Sequence, residues 1–216
     1  MIGTLLAQIQ EKHPLSPLDT DGTEHLKANG MTFTIRAFHA EGLGHVSVMT
    51  AKGFFGLMKM DTLIINPTEK DLPLYSYDRI YAMGKDTLIV ELYDTLLGES
   101  PPKKLQEILT AFADLPDRDP GEHWYDSIKL PESLSKKGKK ALASRFDELT
   151  AAYTEAYLNA PAAAVTDVAA KQAKAAVYVE GLLTHGGPST DVFKKAIGEN
   201  KTASLFRKIL FGTALN

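Results

Sequence analysis

The sequence predicts an α+β domain, and three observations carry that prediction. Strand-like segments crowd the first half of the chain, amphipathic helical stripes fill the second, and the links between strands are too short to hold crossover helices. Strands joined through short turns pair antiparallel, so a mostly antiparallel meander flanked by helices is expected.

Residues 4–12 form a short helix with Leu5, Leu6 and Ile9 on one side. Residues 13–22 (HPLSPLDTDG) are rich in Pro and Asp and read as a loop. Five strands follow, over 31–38, 45–50, 55–65, 74–82 and 87–92, bounded by Gly42 and Gly44, Gly53, Pro67 and Gly84-Lys85. Beyond Gly98 the apolar period becomes helical. Leu105, Ile108, Leu109, Phe112 and Leu115 share one face, and Phe146, Leu149, Tyr153 and Tyr157 share another. Between these helices, residues 116–131 are irregular and hold the only tryptophan, Trp124, with His123 and Tyr125 beside it. A third helix runs from a cap at Thr166 or Asp167 through Leu183 to Gly186-Gly187. Two short helices, 192–197 and 203–211, close the chain around Gly198 and Asn200.

A length of 216 residues, 44% hydrophobic and 24% charged, suits a single domain spanning 1–216 with a sizeable core. The net charge of −3 gives none of the basic footprint that nucleic-acid binders carry, and nucleic acid is not an expected partner. The chain has no cysteine. That removes disulfides, thiolate nucleophiles, cysteine-bound zinc and iron–sulfur clusters, so any redox chemistry takes its electrons from outside. A glycine-rich phosphate loop, a Gly-x-Ser-x-Gly elbow and paired histidines at helical metal-ligand spacing are all missing, and no metal site is expected. The N-terminus lacks the cationic and apolar regions of a signal peptide, and no run is long enough to cross a membrane. A cytoplasmic protein without a membrane partner is expected.

Asp78 is the most informative residue. It closes the run DLPLYSYD between Leu63-Ile64-Ile65 and Thr87-Leu88-Ile89-Val90, where a sheet interior begins. Burial raises a carboxyl pKa, and an acid partly protonated near neutral pH can give a proton to a bound substrate. The competing reading is a turn Asp that accepts backbone N–H bonds.

Two segments carry a family resemblance. Residues 60–94 (MDTLIINPTEKDLPLYSYDRIYAMGKDTLIVELYD) run as a strand ending in Pro, an Asp-Leu-Pro loop, an aromatic, an Asp and a returning strand. Residues 178–213 (YVEGLLTHGGPSTDVFKKAIGENKTASLFRKILFGT) run as closing helices with a Gly-Glu turn and a terminal Leu-Phe. In this order and at this length, the pair resembles the ferredoxin-dependent bilin reductases and their plant relative, red chlorophyll catabolite reductase. The resemblance implies an α/β/α sandwich with a bilin, such as biliverdin, held between the sheet and the C-terminal helices. It also implies no tightly bound cofactor. Ferredoxin or flavodoxin would supply single electrons, and acidic or histidine side chains would protonate the tetrapyrrole radical.

Carried over position by position, Asp78 stands on the family's central catalytic aspartate. An upstream histidine of one subfamily falls at or near Thr62, with Asp61 adjacent, and a second acidic position falls near Gly187, with His185 close by. His45 and His39 lie on a strand that in some members carries His or Glu. The resemblance therefore makes Asp78, His185 and Asp61 catalytic candidates, and Thr62, His45 and Gly187 candidates for substrate contact. Other roles fit the histidines too: His39 and His45 as hydrogen-bonded strand residues, His185 as a residue favoured at a helix C-terminus. Lys136, Lys137, Lys139 and Lys140, with Lys103-Lys104, form the only dense basic feature. A solvated helix start accounts for it, as does a patch that steers an acidic electron donor. The functional expectation is reduction of a linear tetrapyrrole, the alternative being a tetrapyrrole carrier or sensor that lacks a full set of proton donors.

Overall fold

Segments such as Thr62-Leu63-Ile64-Ile65 are apolar at both parities, so the sheet they build must be covered on both faces. A computed structural model describes residues 1–213 and shows this arrangement. The sheet comprises β1 (Leu15–Leu18), β2 (His25–Ala28), β3 (Met31–Ala40), β4 (Gly44–Gly53), β5 (Met58–Asn66), β6 (Leu74–Ala82), β7 (Lys85–Tyr93) and β8 (Leu134–Lys139). All its pairings are antiparallel, in the order β1-β3-β4-β5-β6-β7-β8, with β2 pairing β3 as well.

One face is covered by α1 (Ile2–Lys12), α2 (Lys104–Ala111) and α3 (Ala143–Leu158). There Leu5, Ile9, Val48, Leu63, Tyr75, Tyr77, Phe146 and Tyr153 form a single buried core. The opposite face is covered by α4 (Val168–His185), α5 (Pro188–Ile197) and α6 (Glu199–Ser204), which continues as a π-helical segment, Leu205–Leu210. Its core joins Phe33, Ile35, Met49 and Ile64 of the sheet to Val179, Phe193, Leu205 and Phe206. The expected sandwich is present. No helix among the described residues is long and apolar enough to cross a membrane.

Three strands lie where the sequence pointed elsewhere. β1 occupies the segment read as a loop, and its Pro17 pairs with Phe38 at the sheet edge, where the missing N–H costs nothing. β2 lies just beyond it and runs beside the other half of β3. β8 replaces the expected helix start. Its residues LSKKGK alternate, with Leu134 and Lys136 buried and Lys137 and Lys139 exposed, but lysines in place of apolar residues hide the period.

Two attachments position the C-terminal layer. Asp167 caps α4 by accepting from the Ala170 N–H at 2.9 Å, and the fully buried Lys171 Nζ donates to Asp71 Oδ1 at 2.9 Å and to the Leu72 carbonyl at 2.6 Å. Burial alone would raise the Asp71 carboxyl. Lys171 and the N–H groups of Leu97 and Glu99 outweigh it and hold Asp71 below its ordinary range. At the far end, three strand side chains bond consecutive carbonyls. His45 Nε2 donates to Ile209 at 2.9 Å, Ser47 Oγ to Leu210 at 2.6 Å and Asn66 Nδ2 to Phe211 at 2.8 Å. These satisfy acceptors that a helix end leaves unpaired.

Candidate active site

Side chains alternate along β6. Ser76, Asp78 and Ile80 face the α4–α6 layer, and Tyr75, Tyr77 and Arg79 face the other. Arg79 is thereby turned away from Asp78. Its guanidinium is held bidentately by Asp86, at 2.5 and 2.7 Å, and lies over the Phe146 ring. Opposite Asp78 on β5 is Thr62, whose Oγ1 donates to Asp78 Oδ1 at 2.5 Å. Burial pushes the Asp78 carboxyl up to about 6; the Thr62 hydrogen bond pulls it down, and the negative charge of Glu91 adds to the rise.

Asp78 opens onto a cavity of about 330 Å³ between the sheet and the helical layer. Met49, Met60, Thr62, Ile64, Ser76, Asp78 and Glu91 make its floor, and Tyr178, Leu182, Gly187, Thr190, Phe206 and Phe211 its roof. Arg118, His123, Trp124 and Tyr125 close one side. The aromatics interlock. Tyr178 stacks on Tyr93 with centroids 3.8 Å apart, and Trp124 stacks on Tyr178 at 5.8 Å. Gly181 lets the indole seat against α4, since a Cβ there would lie 2.1 Å from the Trp124 ring. Apolar and aromatic walls with a few convergent polar groups are the usual make-up of a small-molecule site, and this volume is at the lower end of the usual range.

Glu91 is the second carboxylate of the floor. It lies on β7, on the same face as Asp78 and diagonal to it, since Ile89 is the residue paired with Asp78 and Ser76 the one paired with Glu91. The Tyr93 hydroxyl donates to Glu91 Oε2 at 2.6 Å, and Lys129 Nζ is 3.9 Å from Oε1.

No protein-family model and no curated protein matches the chain. Among solved structures the match is close in shape. The fold is that of tomato phytochromobilin synthase, whose selenomethionine form was crystallised in complex with biliverdin. The TM-score is 0.75, over 98% of this chain and 82% of the synthase, at 16% identity. At that identity the likeness to the synthase is one of fold.

On the synthase-like frame, the residues singled out in the sequence separate. Asp78, Thr62 and Gly187 meet at the cavity. Asp61 does not, because it is one residue out of phase with Thr62 and shares the face of Leu63 and Ile65. His45 is on the cavity side of the sheet but lies beneath residues 209–212, where burial lowers its pKa despite the bond to Ile209; a Cβ on Gly212 would touch its ring. His185 is exposed on the outer surface of α4, its ring 5.3 Å from that of Trp124, which stands between it and the cavity. Of the four lysines, Lys136 is buried, donating to Asp117 Oδ1 at 2.6 Å and to the Leu115 carbonyl at 2.9 Å. Lys137, Lys139 and Lys140 are exposed, and Lys137 and Lys139 line an open groove with Lys85 and Arg118.

Sequence reasoning missed Glu91, Arg118 and Tyr178. For Glu91 a signal existed: it is a charged residue inside a strand whose pairing with β6 follows from the two-residue turn, and pleat parity then sets it on the face of Asp78. Tyr178 and Arg118 reach the cavity from distant segments, which local spacing does not reveal.

Proposed function

We propose that this chain binds a linear tetrapyrrole of the biliverdin type in the cavity and reduces it, with Asp78 as proton donor and single electrons delivered by an external ferredoxin or flavodoxin. The observation that carries this reading is Asp78 itself. It is a carboxylic acid with its pKa near 6, facing an aromatic-walled cavity in a fold shared with a biliverdin-bound synthase. At pH 7 about a tenth of such a group is protonated, which is enough to supply a proton as the substrate becomes basic. Reducing one double bond takes up two electrons and two protons. Asp78 gives a proton after an electron has reached the tetrapyrrole, its carboxylate keeps the Thr62 hydrogen bond, and solvent entering the cavity recharges it for the second.

Tyr178, Trp124 and the methionines of the floor give the flat ligand apolar surfaces to rest on. The exposed Lys137, Lys139 and Lys140 would receive an acidic donor protein, and Arg118 borders both their groove and the cavity. A carrier or sensor is the second reading. It is favoured by one observation, that neither His185 nor Asp61 reaches the cavity to serve as a further donor.

Titration with biliverdin, followed by anaerobic addition of a reducing ferredoxin system, tests both. A shifted and sharpened long-wavelength band, lost on reduction, supports the enzyme. A shifted band that survives every competent donor supports the carrier, and an unchanged spectrum at a large excess of bilin refutes both.

A further inference from the structure

Four large apolar side chains stand in solvent at one end of the sheet. In the β4–β5 connection Phe54, Phe55 and Leu57 are 52%, 108% and 66% exposed, and in the β6–β7 turn Met83 is 86% exposed. The two turns are neighbours, because Met58 pairs with Ala82. Phe54, Phe55 and Met83 have φ of +50°, +55° and +50°. A side chain in that left-handed region is strained, and glycine would avoid the strain. None of the three is repaid by burial.

Lysines surround these tips. Lys52 pairs with Lys59 across β4 and β5, Lys85 pairs with Lys139 across β7 and β8, and all four are exposed. Like charges directly opposite one another disfavour a sheet, so these pairings add nothing to folding. No acidic residue occurs from residue 50 to residue 60; beside the second turn Asp86 is buried against Arg79, and Asp117 and Asp119 line the groove of Lys85 and Lys139, so the unopposed positive charge is that of Lys52 and Lys59. A chain of net charge −3 thus carries an apolar, cationic end.

We propose that this end is a membrane-docking surface, at which Phe54, Phe55, Leu57 and Met83 enter the headgroup–acyl boundary of an anionic bilayer while Lys52 and Lys59 contact lipid headgroups. The shape favours lipid over a protein partner. The apolar groups project from the tips of two neighbouring turns, where a fluid boundary can receive them and a folded surface would need matching pockets. The charge is complementary: each lysine near an anionic surface strengthens binding by about fivefold. The expectation that no membrane would be a partner rested on the lack of a spanning segment, and peripheral contact needs none. The cavity floor runs up to Met60 and Ile80, two residue pairs below the tips, so docking sets the cavity close to the lipid boundary. The proposal stands whether or not the ligand is a tetrapyrrole.

The test is flotation of the full chain with vesicles of phosphatidylcholine alone and of phosphatidylcholine with phosphatidylserine at two to one. Binding is expected only with phosphatidylserine and should weaken as salt rises. Replacing both phenylalanines (F54S with F55S) is expected to weaken it about tenfold or more, and K52Q with K59Q by about twentyfold. Unchanged circular dichroism and melting temperature show that the variants fold. The proposal is overturned if phosphatidylserine vesicles do not bind the wild type, or if the phenylalanine variant binds them as well as the wild type does. It is overturned equally if sedimentation shows a dimer that the phenylalanine variant dissociates, since a second copy then covers the tips. Slower ferredoxin-driven turnover in that variant with vesicle binding intact would assign the tips to the donor protein instead, which also overturns it.

Discussion

Replacing Asp78 with Asn should make the protein more stable, and by an amount that grows with pH. Asn keeps an oxygen for the Thr62 hydroxyl but carries no charge into the cavity floor. In the native protein the Asp78 pKa is raised from an ordinary 3.8 to about 6. A carboxyl raised in this way binds its proton more tightly when folded, so its ionisation lowers stability as pH rises through the folded value. Linkage puts that loss at about half a kcal/mol at pH 4 and at up to about 3 kcal/mol at pH 8. Water in the cavity reduces the upper figure. Asp78→Asn removes the loss, so its advantage over the wild type should be small at pH 4 and larger by about 2 kcal/mol at pH 8. Urea unfolding of both proteins at the two pH values measures it, because every other titrating group cancels in the difference. A stability difference independent of pH, or a variant less stable at pH 8, would refute the raised pKa and with it the case for Asp78 as an acid.

The same variant should still bind biliverdin but turn over at least about a hundredfold more slowly, stalled at a one-electron intermediate visible by anaerobic spectroscopy. Glu91→Gln removes a negative charge that pushes Asp78 up, so the pH at which activity falls off should move lower, as a turnover–pH profile will show. Changing Lys137, Lys139 and Lys140 to Gln should slow reduction at low salt and flatten its salt dependence without altering bilin affinity. Lys136→Gln should instead cost about 1–3 kcal/mol of stability, because it removes the donor to the buried Leu115 carbonyl. Lys171→Met leaves the Asp71 carboxylate buried without its cation, and a loss of about 3–5 kcal/mol in urea unfolding at neutral pH is expected.

The main body of the fold was legible because it follows local rules. Two-residue alternation marked β3 to β7, the stripes of Phe146, Leu149, Tyr153 and Tyr157 marked α3, and Asp167 announced the start of α4. The strands that escaped are those in which tertiary pairing overrides composition. β1 contains a proline and β8 four polar residues in six, and each is ordered by a long neighbour. The site was legible only where one segment holds it. Thr62 and Asp78 are joined by a hairpin, whereas the helical roof comes from residues a hundred or more positions on. His185 and Asp61 were credible by proximity in the chain. Helix phase and pleat parity put them elsewhere.

The opposite directions of Asp78 and Arg79 constrain how this chain can be aligned with distant relatives. Adding or deleting one residue within β6 would exchange the two faces: the guanidinium would enter the cavity and the acid would come to lie beside Phe146. Such a length change disrupts the strand, and so does one in the two-residue turn Met83-Gly84 that sets the β6–β7 register, whereas the longer 67–73 loop before β6 can take it up. Gaps in an alignment therefore belong in the 67–73 loop, and a comparison at 16% identity should be judged first by whether it keeps odd and even positions of β5, β6 and β7 on their own sides.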